Sequence, residues 1–155
     1  MTKLRSRNPQ AMSNPTMLKF GFPGTLVHDY KHWSVLLRPA QATLGALVLV
    51  CKDPAQAFSA ISPAAFAELE RVTGDIERAL SAFRPYQKIN YLMLMMVDKD
   101  VHFHVLPRYE TTQTFEGETF PDPGWPAVPD LSQAVKPDDA IAARLIGELQ
   151  RLWAV

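Results

Sequence analysis

Cysteine is nearly missing from this chain: Cys51 is the one thiol in 155 residues. No disulfide can form within the chain, and a Cys-based zinc site has no ligand set. Excess charge of either sign is missing as well, since 16 Lys and Arg balance 16 Asp and Glu. Bulk association with nucleic acid or an anionic membrane needs a basic excess. Neither a nucleic acid polymer nor a membrane is therefore expected as a partner, although a small anion in one pocket stays open. No run of 18 apolar residues occurs, so no membrane span is expected. Lys3, Arg5 and Arg7 are not followed by an apolar stretch, so a secretory signal is not expected. With a single thiol, the expected compartment is the cytoplasm. Repeats and low-complexity tracts are absent.

What is present is an ordinary globular composition, 47% hydrophobic and 21% charged, of a length suited to one core. Residues 1–17 read as a flexible N-terminal arm. Residues 32–38 (HWSVLLR) and 44–51 (LGALVLVC) are rich in strand formers, and the short PAQAT between them implies an antiparallel hairpin. The clearest helix follows. Ser62 is a good N-cap, Pro63 suits the first helical position, and Ile61 and Phe66 occupy staple positions. Apolar residues then recur at Phe66, Leu69, Val72, Ile76, Leu80 and Phe83, and Arg84-Pro85 ends the helix. Residues 88–97 (KINYLMLMMV) are apolar almost throughout and predict a central strand. Residues 101–106 predict another, ended by Pro107. Five prolines fall in residues 121–137, an irregular segment with Trp125 in it. Residues 137–153 predict a C-terminal helix with Ile141, Leu145, Leu149 and Leu152 on one face. The fold class is α+β: a mainly antiparallel sheet packed with one long helix and a C-terminal helix.

Chemistry concentrates in residues 100–106, DVHFHVL. Side chains alternate faces along a strand. Val101, Phe103 and Val105 therefore face a core, while Asp100, His102 and His104 share the other face, roughly 7 Å apart. His28 and His32 lie beside a turn and read as surface residues. Met93, Met95 and Met96 read as packing filler, with Met96 turned towards a possible pocket, and Cys51 as a small buried apolar residue.

Residues 88–109, KINYLMLMMVDKDVHFHVLPRY, resemble the histidine triad (HIT) family, whose signature alternates three histidines with apolar residues and is often followed by Pro-Arg. The register puts Asp100 at the first triad position, His102 at the second and His104 at the third, followed by Val105-Leu106-Pro107-Arg108. Lys88, Asn90, Tyr91 and Leu94 match an upstream strand of the family type K-x-N-Y-x-x-L. The resemblance covers about residues 18–109, and it implies a HIT-like α+β domain, with a mainly antiparallel five-stranded sheet, over residues 18–112. Residues 113–155 would then form a proline-rich segment and helix packed on the domain or on a dimer partner. It further implies a symmetric homodimer and a nucleotide substrate. His102 would attack the α-phosphorus to give a nucleotidyl-imidazole, and water or another acceptor would take the group. The chemistry is sound on its own terms: neutral imidazole offers a lone pair near pH 7, and phosphoryl transfer needs mainly positioning and charge neutralisation. His104 is the expected hydrogen-bond donor to phosphate or leaving group. Asp100, Asn90, Arg38 and Arg108 are the expected substrate-binding residues. No metal and no cofactor is required.

Four departures from the family pattern bear on function. Asp100 replaces the first histidine, where the backbone carbonyl is expected to orient the nucleophile whatever the side chain. Ala46 follows Gly45 where many members carry a histidine. Met95 and Met96 stand where Gly-Asn is common. Arg38 stands where an Asn or Asp usually accepts from ribose hydroxyls, and arginine cannot accept. Three readings follow. The first is a hydrolase or nucleotidyl transferase acting on dinucleoside polyphosphates or nucleoside phosphoramidates. The second is a nucleotide-binding protein with a decayed site. The third is a metal site built from Asp100, His102 and His104, although ligands at i, i+2 and i+4 of a flat strand span roughly 13 Å.

Overall fold

A computed structural model describes residues 13–154 of the chain. The helix expected from Ser62 is there as read. Helix α2 runs Pro63–Phe83, Ser62 Oγ accepts from the Ala65 N–H at 3.1 Å, and Arg84 is the C-cap. Its inward stripe is Ala65, Val72, Ile76, Ala79, Leu80 and Phe83, all buried. Phe66 stands off that stripe, 39% exposed, with its ring edge-on to Phe58.

That stripe covers one face of a five-stranded antiparallel sheet. The strands are β1 (Leu26–Asp29), β2 (Trp33–Leu37), β3 (Leu47–Cys51), β4 (Lys88–Leu92) and β5 (His102–Arg108), in the order β1-β2-β3-β5-β4. The period-2 rule sorts their side chains. Trp33, Val35, Leu37, Leu47, Leu49, Cys51 and Val105 point into the main core with α2 and the C-terminal helix α3 (Asp139–Trp153). Ser34, Leu36, Val48, Val50, His102 and His104 take the other face, as the pairing Leu36↔Val48↔His104 fixes. In α3 the face is Leu145, Leu149 and Leu152, and Asp138 caps the helix through the Ile141 N–H at 2.8 Å. Arg78 of α2 donates to the Leu152 and Trp153 carbonyls, and Trp153 donates to Tyr30, which in turn donates to Asp75. These bonds fix α3 on its own chain. No helix among the described residues is long and apolar enough to cross a membrane.

Several expectations need correction. The strand predicted to be central over residues 88–97 is an edge strand and ends at Leu92. Met95 turns at a positive φ of 53°, and Leu94, Met96 and Val97 are exposed in the loop that follows. Their apolarity therefore lines a surface feature and not the core. Pro107 lies inside β5 instead of ending it. Val101 accepts from Cys51 of β3, whereas Arg108 accepts from Gln87 on the β4 side. By alternation the Pro107 nitrogen faces the β3 side, where the ladder has stopped at Leu47↔Val105, so its missing N–H costs nothing. Of the arm expected over residues 1–17, residues 1–12 lie outside the described residues. From Pro15 the chain is a short helix, α1 (Pro15–Lys19), capped by Asn14 with Thr16 and Met17 buried. A hairpin absent from the sequence reading, β6 (Gln113–Phe115) and β7 (Glu118–Phe120), turns on positive φ at Glu116 and Gly117, the pairing that tight hairpins favour.

The proline-rich segment crosses the second face of the sheet. Gln41 bridges Val135, and Leu131 and Ala134 pack on Ala42, Ala46 and Leu106. Its anchor is Asp122. The Arg108 Nε and Nη2 donate to its carboxylate at 2.6 and 3.0 Å, and Arg108 Nη1 donates to Asn90 Oδ1 at 2.8 Å. The side chains of Arg108 and Asp122 are 4% and 1% exposed. Removing one partner strands the other charge without water, which typically costs about 3–5 kcal/mol. Asp122→Ala should therefore lower the urea-unfolding free energy by about that amount, and an effect near zero would show the pair to be dispensable.

Candidate active site

Strand alternation puts His102 and His104 on the face opposite Phe103 and Val105. Both are largely buried, at 2% and 7% exposure, with ring centroids 5.3 Å apart at 79°. His102 Nδ1 lies 2.7 Å from the Asp100 carbonyl oxygen. A carbonyl only accepts, so Nδ1 carries the proton and the lone pair of the neutral ring is on Nε2. That nitrogen belongs to a ring lining a cleft of about 270 Å³.

Asp100 does not present its carboxylate to the imidazole. Oδ2 accepts from the Thr16 N–H at 3.2 Å and from Thr16 Oγ1 at 2.8 Å. Asn14 Nδ2 donates to the Cys51 carbonyl at 2.9 Å, and Lys19 pairs with Asp98 at 2.8 Å. Helix α1 is thus tied beside the histidines at several points. Phe20, just after it, sets its ring edge-on to His104 at 5.6 Å and tilted to His102 at 6.2 Å. Lys19 and Phe20 make one wall of the cleft, and Leu94, Met95, Met96, Val97 and Asp98 make the other.

Arg38 projects from just beyond β2 into the same cleft. Its Nη1 donates to the Ala40 carbonyl, and its Nε is buried without a partner. His104 Nδ1 is likewise buried and unpartnered. Burial, then the charge on Arg38, pushes the His104 pKa from 6.5 down to about 4, so this ring is neutral at physiological pH.

Asn90 and Arg108 are not in this cleft. They line a separate hollow of about 770 Å³ along β4, walled by residues 125–129. Arg108 is bonded to Asp122 and Asn90, so these two expected substrate ligands, Arg108 and Asn90, stand together beside β4 and apart from the histidines. Asp122 follows Arg108 by 14 residues, in the stretch the family resemblance did not reach. The wall made by Lys19 and Phe20 was missed in the sequence, although Asn14-Pro15 carries the cap and first-turn proline of a helix start. Among the described residues, no three His, Cys, Asp or Glu side chains converge to hold a metal ion. Asp100 turns to Thr16, which removes the carboxylate from the proposed metal set. His32 lies near Asp53 and His28 stacks on Trp153, both away from the cleft.

No family model and no curated protein matches the sequence. Solved structures do match. A histidine triad protein from Sinorhizobium meliloti 1021 superposes with a TM-score of 0.72 at 17% identity, covering 93% of this chain and 98% of its own. One from Marinobacter aquaeolei VT8 gives 0.68 at 18%, covering 83% and 88%. One from Bradyrhizobium japonicum gives 0.66 at 19%, covering 90% and 95%. At these identities what is shared is the fold: the chain has the architecture of histidine triad proteins over nearly its whole length.

The low His104 pKa has a consequence for stability. Because it lies below the ordinary 6.5, the unfolded chain takes up the proton first as pH falls. The stabilisation is complete above about pH 6.5 and is lost as pH drops towards about 4. Urea unfolding of the wild type should show stability falling across that window, and His104→Asn should flatten the slope. Equal slopes in the two proteins would mean that His104 titrates normally.

Proposed function

We propose that this protein is a nucleotide-binding hydrolase or nucleotidyl transferase of the histidine triad kind. Its substrates would be dinucleoside polyphosphates or nucleoside phosphoramidates, and the reaction would pass through a covalent nucleotidyl-His102 intermediate. The observation that carries this reading is the 2.7 Å bond from His102 Nδ1 to the Asp100 carbonyl. It leaves the Nε2 lone pair as the nucleophile and offers an acceptor for the Nδ1 proton once the ring becomes positive.

In the first step Nε2 forms a bond to the α-phosphorus, and the leaving group departs with the electron pair of its own bond to phosphorus. In the second, a water oxygen attacks that phosphorus, the P–N bond returns its pair to Nε2, and the water gives up a proton. Charge on the phosphoryl oxygens is met by hydrogen bonding, with His104, whose ring lies 5.3 Å from that of His102, donating from the nitrogen that carries its hydrogen. Phe20 and the apolar loop of residues 94–97 keep bulk water away from the phosphorus and offer a surface for a base or other flat group.

A second reading, binding without turnover, is favoured by Ala46, which has no donor to give a phosphate. The protein is further proposed to act as a cytoplasmic homodimer joined along the unpaired β4 edge.

Intact-protein mass spectrometry after a short pulse with either substrate type separates the readings. The wild type should gain one acid-labile nucleotidyl group. His102→Ala should gain none and should lose turnover by roughly a thousand-fold or more. Thermal stabilisation by nucleotide with neither adduct nor turnover would leave the binding reading; turnover that survives His102→Ala would remove the mechanism.

A further inference from the structure

The charge inventory of the histidine cleft is lopsided. Lys19 is committed to Asp98, and the Asp100 carboxylate is committed to Thr16. Among the described residues, Arg38 alone of the cleft cations has no carboxylate partner. Its Nε sits buried without an acceptor, and the neighbouring His104 Nδ1 is also unpartnered. Leaving a buried donor of a charged group unmade is costly, and a bound anion with oxygen acceptors would satisfy it. Acceptors for sugar hydroxyls are the scarce item, since among the described residues the only carboxylate lining the cleft is Asp98, already paired with Lys19.

The Arg38 backbone is also set back from that of His102, although both side chains line one cleft. Arg38 N–H donates to the Ala46 carbonyl, one residue beyond the Leu47↔Val105 pair, so the Arg38 backbone lies two strands and about four residues from His102. With strands ~4.8 Å apart and ~3.3 Å per residue, the two backbone positions are roughly 16 Å apart. His104 comes between them, with its ring 5.3 Å from that of His102. The bond from Nη1 to the Ala40 carbonyl holds the guanidinium back at the β2 end. A phosphate held at His102 therefore leaves the Arg38 end of the cleft to another part of the ligand.

Resting on the nucleotidyl-transfer reading, we infer that the ligand carries two separate phosphates: one at His102 and His104 that reacts, and one at Arg38 that only binds. The chemical class is a nucleotide phosphorylated on its sugar hydroxyl as well as at the 5′ position. Arg38 is a specificity residue in this scheme, discriminating for an anion and against a free diol.

Calorimetric titration of the full-length protein with adenosine 5′-monophosphate and with adenosine 2′,5′- and 3′,5′-bisphosphate tests this, and a guanosine series repeats it. At least one bisphosphate should bind roughly tenfold or more tighter than the monophosphate. Arg38→Gln, checked for folding by its melting curve, should erase the preference. Equal affinities in the wild type overturn the inference, whatever the variant does, and so does a preference that survives Arg38→Gln. If the mass-spectrometric pulse still yields the His102 adduct, such a result leaves nucleotidyl transfer standing. If no adduct forms and no nucleotide binds, both fall together.

Discussion

The hydrogen bond between the Asp100 carbonyl and His102 Nδ1 decides what the rest of the site can be. An imidazole without it exchanges tautomers, and half of its nucleophilic capacity points the wrong way. With it, one nitrogen is committed to the backbone and the other is free. The bond comes from the main chain two residues earlier, so strand geometry supplies it and the side chain at position 100 does not. That is why an aspartate can stand there without disturbing the ring. The carboxylate is released for another task, and it takes up the Thr16 amide and hydroxyl.

Around that bond, the fold divides its sheet into an inside and a working face. Helices α2 and α3 pack on the inside, leaving Phe103, Ile89 and Tyr91 partly buried. Among the described residues, the working face is covered at its two ends, by α1 with Phe20 on one side and by the proline-rich segment on the other. Each cover is fixed by a carboxylate, Asp100 for α1 and Asp122 for the tail. The histidines lie in the gap. A cleft of this kind needs no dedicated cavity in the core, only two straps whose separation is set by where their anchors fall along β5.

Local physics made part of this legible in the sequence. The Ser62-Pro63 start and the apolar spacing of α2 are short-range signals, and they delivered the helix bounds. Alternation in residues 100–106 is equally local, and it paired His102 with His104 on one face. What the sequence did not reveal depends on distant partners. Arg108 looked like a free cation because Asp122 reaches it from a turn of no pattern, and Asn90 was drawn into the same buried cluster. Residues 88–97 read as a central strand because apolar content does not distinguish a core from the wall of a cleft. Helix α1 is only five residues long, too short for a periodic signal, and its stability comes from Asn14, Asp100 and Lys19 rather than from its own propensity.

The two charged replacements, Asp100 and Arg38, then fit one account. A carboxylate free beside the imidazoles would oppose an incoming phosphate, and a guanidinium beside a protonated histidine would repel it. Neither conflict arises. Asp100 is turned into α1, where its charge is taken up by hydrogen bonds. His104 is kept neutral by burial and by Arg38 itself, so the cation does not share its surroundings with a second positive charge. The cleft is therefore electrostatically one-sided: among the described residues Arg38 is its one cation lacking a carboxylate partner, and Asp98 is paired with Lys19. Such a site discriminates through desolvation: a neutral sugar edge would leave the guanidinium unsatisfied, whereas an anion would complete it. Selectivity for charge arises here from what the walls do not offer as much as from what they do.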